Sequence, residues 1–392
     1  YTVSNLRAAT ATAAYVFITD SGKQGIFAYD SSDTSTADNT GTVIVTANGR
    51  RYKRVINDKS LNVGWFAVTG DGTTNDNAGV LAAFNLADGT NYTNIFVPAG
   101  NFKINVDAIT VASGVSVIGA NGAKFSAATT PTSQANLLTT TGSNVTIDNI
   151  EFVATTFYVR GFKATGGTNI RFLNCKANTA ALVELISCTA SEIRGCYAKT
   201  TQNFGLIATQ SSAWSCVRLQ YSNYINISDG YIDGYGHSIQ FDGGDPNNYL
   251  GATNVPVPIT VARGGKNVVI SNIRALNGVG GGIWGNMYDA VLIQHCQVEN
   301  FQDVGIDFEG CTNSKASFCT IKNCVYGSMG LFYWNGQIEF DNITSIVTSS
   351  TYHHLIMADI QTSVDVGSQY LKFTNCTFQA EGHISQIGDV AQ

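Results

Sequence analysis

The chain has 392 residues, of which only 13% are charged, with 40 Gly, 5 Pro and a formal net charge of −6. An acidic balance argues against a nucleic-acid partner, which needs basic patches against phosphate, and no apolar run approaches the ~18 residues of a membrane-inserting helix. Low charge with abundant Gly, Asn, Ser and Thr suits an all-β, turn-dense protein and excludes a helical bundle.

Residues 1–62 read as a small β module. Segments 16–18, 25–30, 42–45 and 52–55 are short apolar strands, and Asn48-Gly49 supplies a hairpin turn. Next, a short apolar strand from Val63 meets a Gly70-Asp71-Gly72 turn, and residues 75–88 follow as the one convincing helix. Val80, Leu81, Phe84 and Ala87 share one face there, and Thr74 or Asn75 can cap it. A second strand closes at Pro98-Ala99-Gly100. A helix in this place covers the open core and unpaired strands at the end of a stack.

From about 101 the chain repeats. Short alternating segments recur with Asn or Cys at their corners: Cys175 and Cys196 are 21 residues apart, Cys296 and Cys319 are 23 apart. That period belongs to solenoids, and it lacks the Leu/Asn consensus of leucine-rich repeats. A parallel β-helix of about ten rungs is the inference. The longest interruption, 243–266, is a loop leaving the stack. The nine Cys are an odd number; Cys175, Cys196, Cys296, Cys319 and Cys376 fall at matching points of the rungs, and the thiols read as stacked and reduced in the core, which implies a reducing compartment during assembly.

Aligning the later rungs on their corners places residues 238–242 over 282–286 and those over 305–309, with a fourth segment inside 327–334 whose register stays open by two residues. Ile239, Phe241, Ile306 and Phe308 then point inward. Gln240, Asp242, Trp284, Asn286, Asp307 and Glu309 point outward on one sheet. A stripe that mixes an aromatic with carboxylates and amides has the composition of a sugar-binding groove. Asp307 and Glu309 lie two apart, so their Cα atoms are roughly 6.5–7 Å apart, within the roughly 6.5–9.5 Å of inverting glycosidases. Either one can be the acid and the other the base. Asp242, about two rungs and on the order of 9.6 Å away, is a third candidate. Asp229, Asp233, His237, Asp242 and Asp245 form a second polar group beside the long loop, suited to a cation, to sugar, or to His237 as a general acid or base. Tyr333 and Trp334 read as aromatic subsites or as packing between subunits.

The segment 63–100 resembles the start of pectate-lyase-like right-handed parallel β-helices, in the form found in bacteriophage tailspikes. The stretch from Gly25 to Val55 is similar to the small β module that precedes the helix in many of them. The resemblance runs over about residues 15–330 and implies a β cap at 1–62, a β-helix at 63–392 and a homotrimer. It also implies a virion tail location, assembly in the host cytoplasm, and action on a bacterial capsular or O-antigen polysaccharide without metal or cofactor. Tailspike glycosidases of this kind carry Asp/Glu pairs on the outward face of a middle rung or between subunits, and 305–310 looks like such a rung. Endo-hydrolysis is the expectation. A polysaccharide lyase on the same fold and a non-catalytic glycan-binding fibre are the alternatives. For a lyase, His353, His354, Tyr333, Lys322, Arg263 and Lys266 are the available groups, without a recognisable constellation. The Gly236-His237-Ser238 triplet departs from the polygalacturonase Gly-His-Gly, and no Gly-x-Ser-x-Gly elbow points to an esterase.

Overall fold

The computed structural model describes residues 1–156, 158–200, 215–245, 261–333, 335–349, 351–358, 371–380 and 388–389. The N-terminal strands form as the sequence predicts. β1 (Tyr15–Ile18), β2 (Gly25–Tyr29), β3 (Val43–Val45) and β4 (Arg51–Arg54) make an antiparallel sheet in the order β1-β2-β4-β3. Gly49 turns the β3–β4 hairpin at φ +79°, a conformation that costs glycine nothing. Phe27, Ile44 and Tyr52 form its core together with Val3 and Leu6. These last two lie on a helix the sequence did not reveal, α1 (Val3–Ala8), whose Thr2 hydroxyl accepts from the Asn5 N–H. Six residues with two apolar positions carry too little periodicity to be read.

The second helix, α2 (Asn77–Leu86), lies within the expected 75–88 but is shorter. Val80 and Phe84 are buried as expected, with Ala87 beside them; Leu81 is only half-buried. Asn75 does meet the helix start, accepting from the Asn77 N–H, whereas Thr74 does not. Thr74 serves Asp71, whose carboxylate gathers the Thr73 and Thr74 N–H groups and the Thr74 hydroxyl. The boundary residue itself is Asp76, and its carboxylate accepts from the Thr69 and Gly70 N–H groups. The Gly-Asp-Gly turn is thereby tied to the helix start.

The rest is a right-handed parallel β-helix. A complete rung gives two strands to a 22-stranded sheet and one to an 11-stranded sheet, and all pairings in both are parallel. Each strand places alternate residues in a continuous core. Ile239, Ile283, Ile306 and Met329 are register partners on four successive rungs, all buried. Phe152, Phe162 and Phe172 stack inside it at centroid distances of 5.9 and 6.0 Å. Corners fall to Asn, as at Asn144, Asn149, Asn169 and Asn174, all at positive φ; Asn tolerates the left-handed region better than most residues. All nine cysteines are free thiols, eight buried and Cys376 half-buried.

Candidate active site

The register expected for the stripe is the register observed. Gln240, Trp284 and Asp307 align across three strands, as do Asp242, Asn286 and Glu309. The fourth segment, left open by the sequence, is Gly327–Phe332, with Gly330 beside Asp307 and Phe332 beside Glu309. Asp307 and Glu309 share the strand Val304–Glu309, whose Ile306 and Phe308 point into the core.

The stripe lies deeper than an outward position on a sheet by itself requires. Gln240, Asn286 and Asp307 are buried, and Asp242, Trp284 and Glu309 are half-buried. Neighbouring groups explain this. Gln240 accepts from the Ser215 hydroxyl at 2.5 Å, and the Asn286 amide oxygen accepts from the Gly243 N–H at 3.2 Å. Trp284 stacks on His237 with centroids 5.0 Å apart and donates its Nε1–H to Glu309 at 2.9 Å.

Burial changes the chemistry of the pair. Glu309 is pushed up from 4.5 to about 7, first by loss of water and then by the negative charge of Asp303, Asp242 and Asp245; the Trp284 N–H acts in the opposite direction. Asp307 is driven well above the usual carboxylate range, by burial first and then by Glu309 and Asp303. Its Oδ1 is buried without a hydrogen-bond partner. Asp303, itself raised by burial, is a member of the cluster that the sequence reading missed. It sits in the turn before the strand, outside the segment 305–309 aligned to find the stripe.

Asp242 is engaged differently from its neighbours. Arg218 donates to it at 2.7 Å and to Glu184 at 2.7 Å, and Arg160 donates to the same Glu184 at 2.6 Å. A ladder of alternating charge thus runs along the 11-stranded sheet and ends on Asp242. The second polar group dissolves. Asp229 accepts from Asn272 and Asp233 from Asn277, both on the other sheet. His237 is buried, its Nδ1 accepts from the Gly281 N–H at 2.8 Å, and desolvation lowers it to about 4, so it is neutral at pH 7. It serves as a stacking support for Trp284 rather than as a solvent-facing acid or base.

Tyr333 follows Phe332 at φ +59°, and Trp334 lies outside the described residues, as does most of the 243–266 loop. The groups considered for a lyase stay scattered. His354 is buried against the Ser345 hydroxyl, Lys322 lies on the 22-stranded sheet, and Arg263 and Lys266 line a cavity of about 560 Å³ with Asp289 and Thr312. Among the described residues no group of three or more His, Cys, Asp or Glu is arranged to hold a metal ion.

Residues 1–58 match the family profile of the phage tail protein small four-stranded beta-sheet domain. No curated protein sequence matches the chain. Solved structures with a similar fold include the enzymatically active domain of tailspike protein 2 from bacteriophage CBA120, at 13% identity and TM-score 0.60, covering 98% of this chain and 61% of that one. The Thermotoga maritima exopolygalacturonase is similar at 10% identity and TM-score 0.57, over 83% of this chain and 93% of that one. The A-module of the Azotobacter vinelandii mannuronan C-5 epimerase AlgE4 is similar at 13% identity and TM-score 0.53, over 84% and 99%. The chain therefore joins a segment similar to a phage tail domain to a right-handed parallel β-helix, a fold found in phage tailspikes and in enzymes that act on polysaccharides.

Proposed function

We propose that this chain is a tailspike-type depolymerase, carried on a phage tail, that hydrolyses a polysaccharide of the bacterial surface. The observation that carries the reading is the Asp307–Glu309 pair: two raised, interacting carboxyls on one strand beside a half-buried tryptophan. Two like charges so close cannot both form easily, so one carboxyl keeps its proton while the other ionises. That is the division of labour an inverting glycosidase needs, and Cα atoms ~6.5–7 Å apart on one face are compatible with carboxyls spaced to admit a water.

The environments assign the roles. Asp307, the more deeply buried, with an unpartnered Oδ1, holds the proton and is the general acid. Glu309 accepts the Trp284 N–H, which favours its charged form, keeps contact with solvent, and is the base that activates water. Trp284 offers an apolar surface for a sugar ring, and Asp242, Gln240 and Asn286 lie within two rungs for hydroxyls. Hydrolysis is favoured over elimination because Arg263 and Lys266, the cations a lyase would use, line a cavity that includes neither Asp307 nor Glu309, and Lys322 lies on the 22-stranded sheet. A homotrimer, with the site on or between its subunits, belongs to the same proposal.

The rival reading is a fibre that grips glycan without cutting it; the 3% exposure of Asp307 speaks for it. Reducing-end release from a panel of bacterial surface polysaccharides separates the two. Asp307→Asn and Glu309→Gln should each lower release by about 10²–10⁴-fold while binding persists. Full activity in both variants would remove this site. An unsaturated uronate among the products, seen by ultraviolet absorbance, would show a lyase. Binding without any product would show the fibre.

A further inference from the structure

A second cluster of unusual side chains lies on the 22-stranded sheet. One corner of the rungs is left-handed along the whole solenoid, and Asn149, Asn174, Asn272, Asn342 and Asn375 fill it at φ +50° to +55°. Gly195 and Asp229 take it on two rungs, and two consecutive rungs place a ring there, His295 at φ +54° and Phe318 at φ +53°. A bulky ring at positive φ is disfavoured, and such strain persists where the fold holds it for a purpose.

The two rings stack, with centroids 5.1 Å apart and planes within 11°. His295 covers one face of Phe318, yet Phe318 remains 53% exposed. Beside them Arg274, Gln297 and Thr320 align on three rungs, and with Asn272 these residues line a groove of about 650 Å³. The Arg274 guanidinium lies 5.8 Å from the ring centre of Tyr231, which stacks on Tyr197 at 4.9 Å. Most cations on this solenoid have a carboxylate partner, as Lys124 has Glu151 and Lys315 has Asp341. Arg274 has neither an ion pair nor a hydrogen bond among the described residues.

We propose that this groove is a second glycan-binding site, distinct from the carboxylate pair, for a pyranose bearing a carboxylate. The exposed Phe318 ring takes the apolar face of the sugar. Arg274 takes the carboxylate as a charge-assisted, bidentate partner. Gln297, Thr320 and Asn272 are placed for hydroxyls. The site stands whether or not the chain cleaves polysaccharide.

The test uses the full chain carrying Glu309→Gln, so that no cleavage intervenes, with D-glucuronate and D-glucose as probes and saturation-transfer NMR as the readout. Glucuronate should bind more tightly than glucose. Phe318→Ala should weaken glucuronate by at least about fivefold, and Arg274→Gln should reduce it to the level of glucose. Restoring Glu309 should leave glucuronate binding unchanged. Absence of glucuronate binding, or binding indifferent to both groove variants, would overturn the proposal. So would a change in oligomeric mass on Phe318→Ala, which would assign this face to contact between copies of the chain.

Discussion

Glu309 holds its proton to about pH 7 because the folded chain strips water from it and surrounds it with negative charge. In the unfolded chain it ionises near 4.5. Between these values the folded state binds more protons than the unfolded one, so stability falls as pH rises through the window. The contribution is fully present below about 4.5 and lost above about 7, on the order of 3 kcal/mol. Glu309→Gln should therefore gain stability over the parent at pH 8 and gain nothing at pH 4, read as the difference in melting temperature at the two values. A constant difference across pH would show that Glu309 ionises normally. His237 works in the opposite sense: lowered to about 4, it costs stability as pH falls from 6.5 toward 4. Comparing variant with parent cancels that shared term.

At the scale of the strand, the pair depends on its neighbours across the sheet. Gly330, the register partner of Asp307, has no room for a side chain: a Cβ there would stand 2.7 Å from Asp307 Oδ1 and 2.8 Å from Val304 Cγ1. Gly330→Ala should displace the Asp307 carboxyl, lowering reducing-end release at least about tenfold while costing only ~1–3 kcal/mol of stability. Unchanged release would mean that Asp307 does not act from this position. The charge ladder makes a different demand. Glu184 is buried between Arg160 and Arg218, so Glu184→Ala leaves two guanidiniums without their shared partner. A loss of about 3–5 kcal/mol in denaturant unfolding is expected, and a loss below ~1 kcal/mol would show the ladder to be hydrated. Because Arg218 also holds Asp242, the same variant should loosen that end of the stripe.

At the scale of the whole molecule, the solenoid is one continuous core, and its cysteines are part of that packing. Burial raises the thiols of Cys175, Cys196, Cys216, Cys311 and Cys324. A thiol-reactive dye at neutral pH should label at most Cys376 quickly in the native chain, and all nine residues in denaturant. Rapid native labelling of several would mean that the rungs open locally.

The rungs are legible in the amino-acid pattern. The two-residue alternation of Ile306, Asp307, Phe308 and Glu309, the corner Asn and Cys, and the 21- to 23-residue spacing are local chemistry repeated, and repetition carries register from one rung to the next. That is why the amino-acid pattern alone aligns Gln240, Trp284 and Asp307. It also marked the carboxylate pair, since spacing along a strand fixes which face two residues share. How deep that face lies emerges from packing alone. Burial depends on what other segments lay against the sheet, and no periodicity encodes it. Asp303 joined the cluster from the adjacent turn, whereas Arg218 took Asp242 and His237 turned out to be neutral and stacked under Trp284 through contacts between residues far apart in the chain. The distinction is physical: alternation is a property of one strand, whereas a proton's affinity for a carboxyl is set by everything that replaces its water.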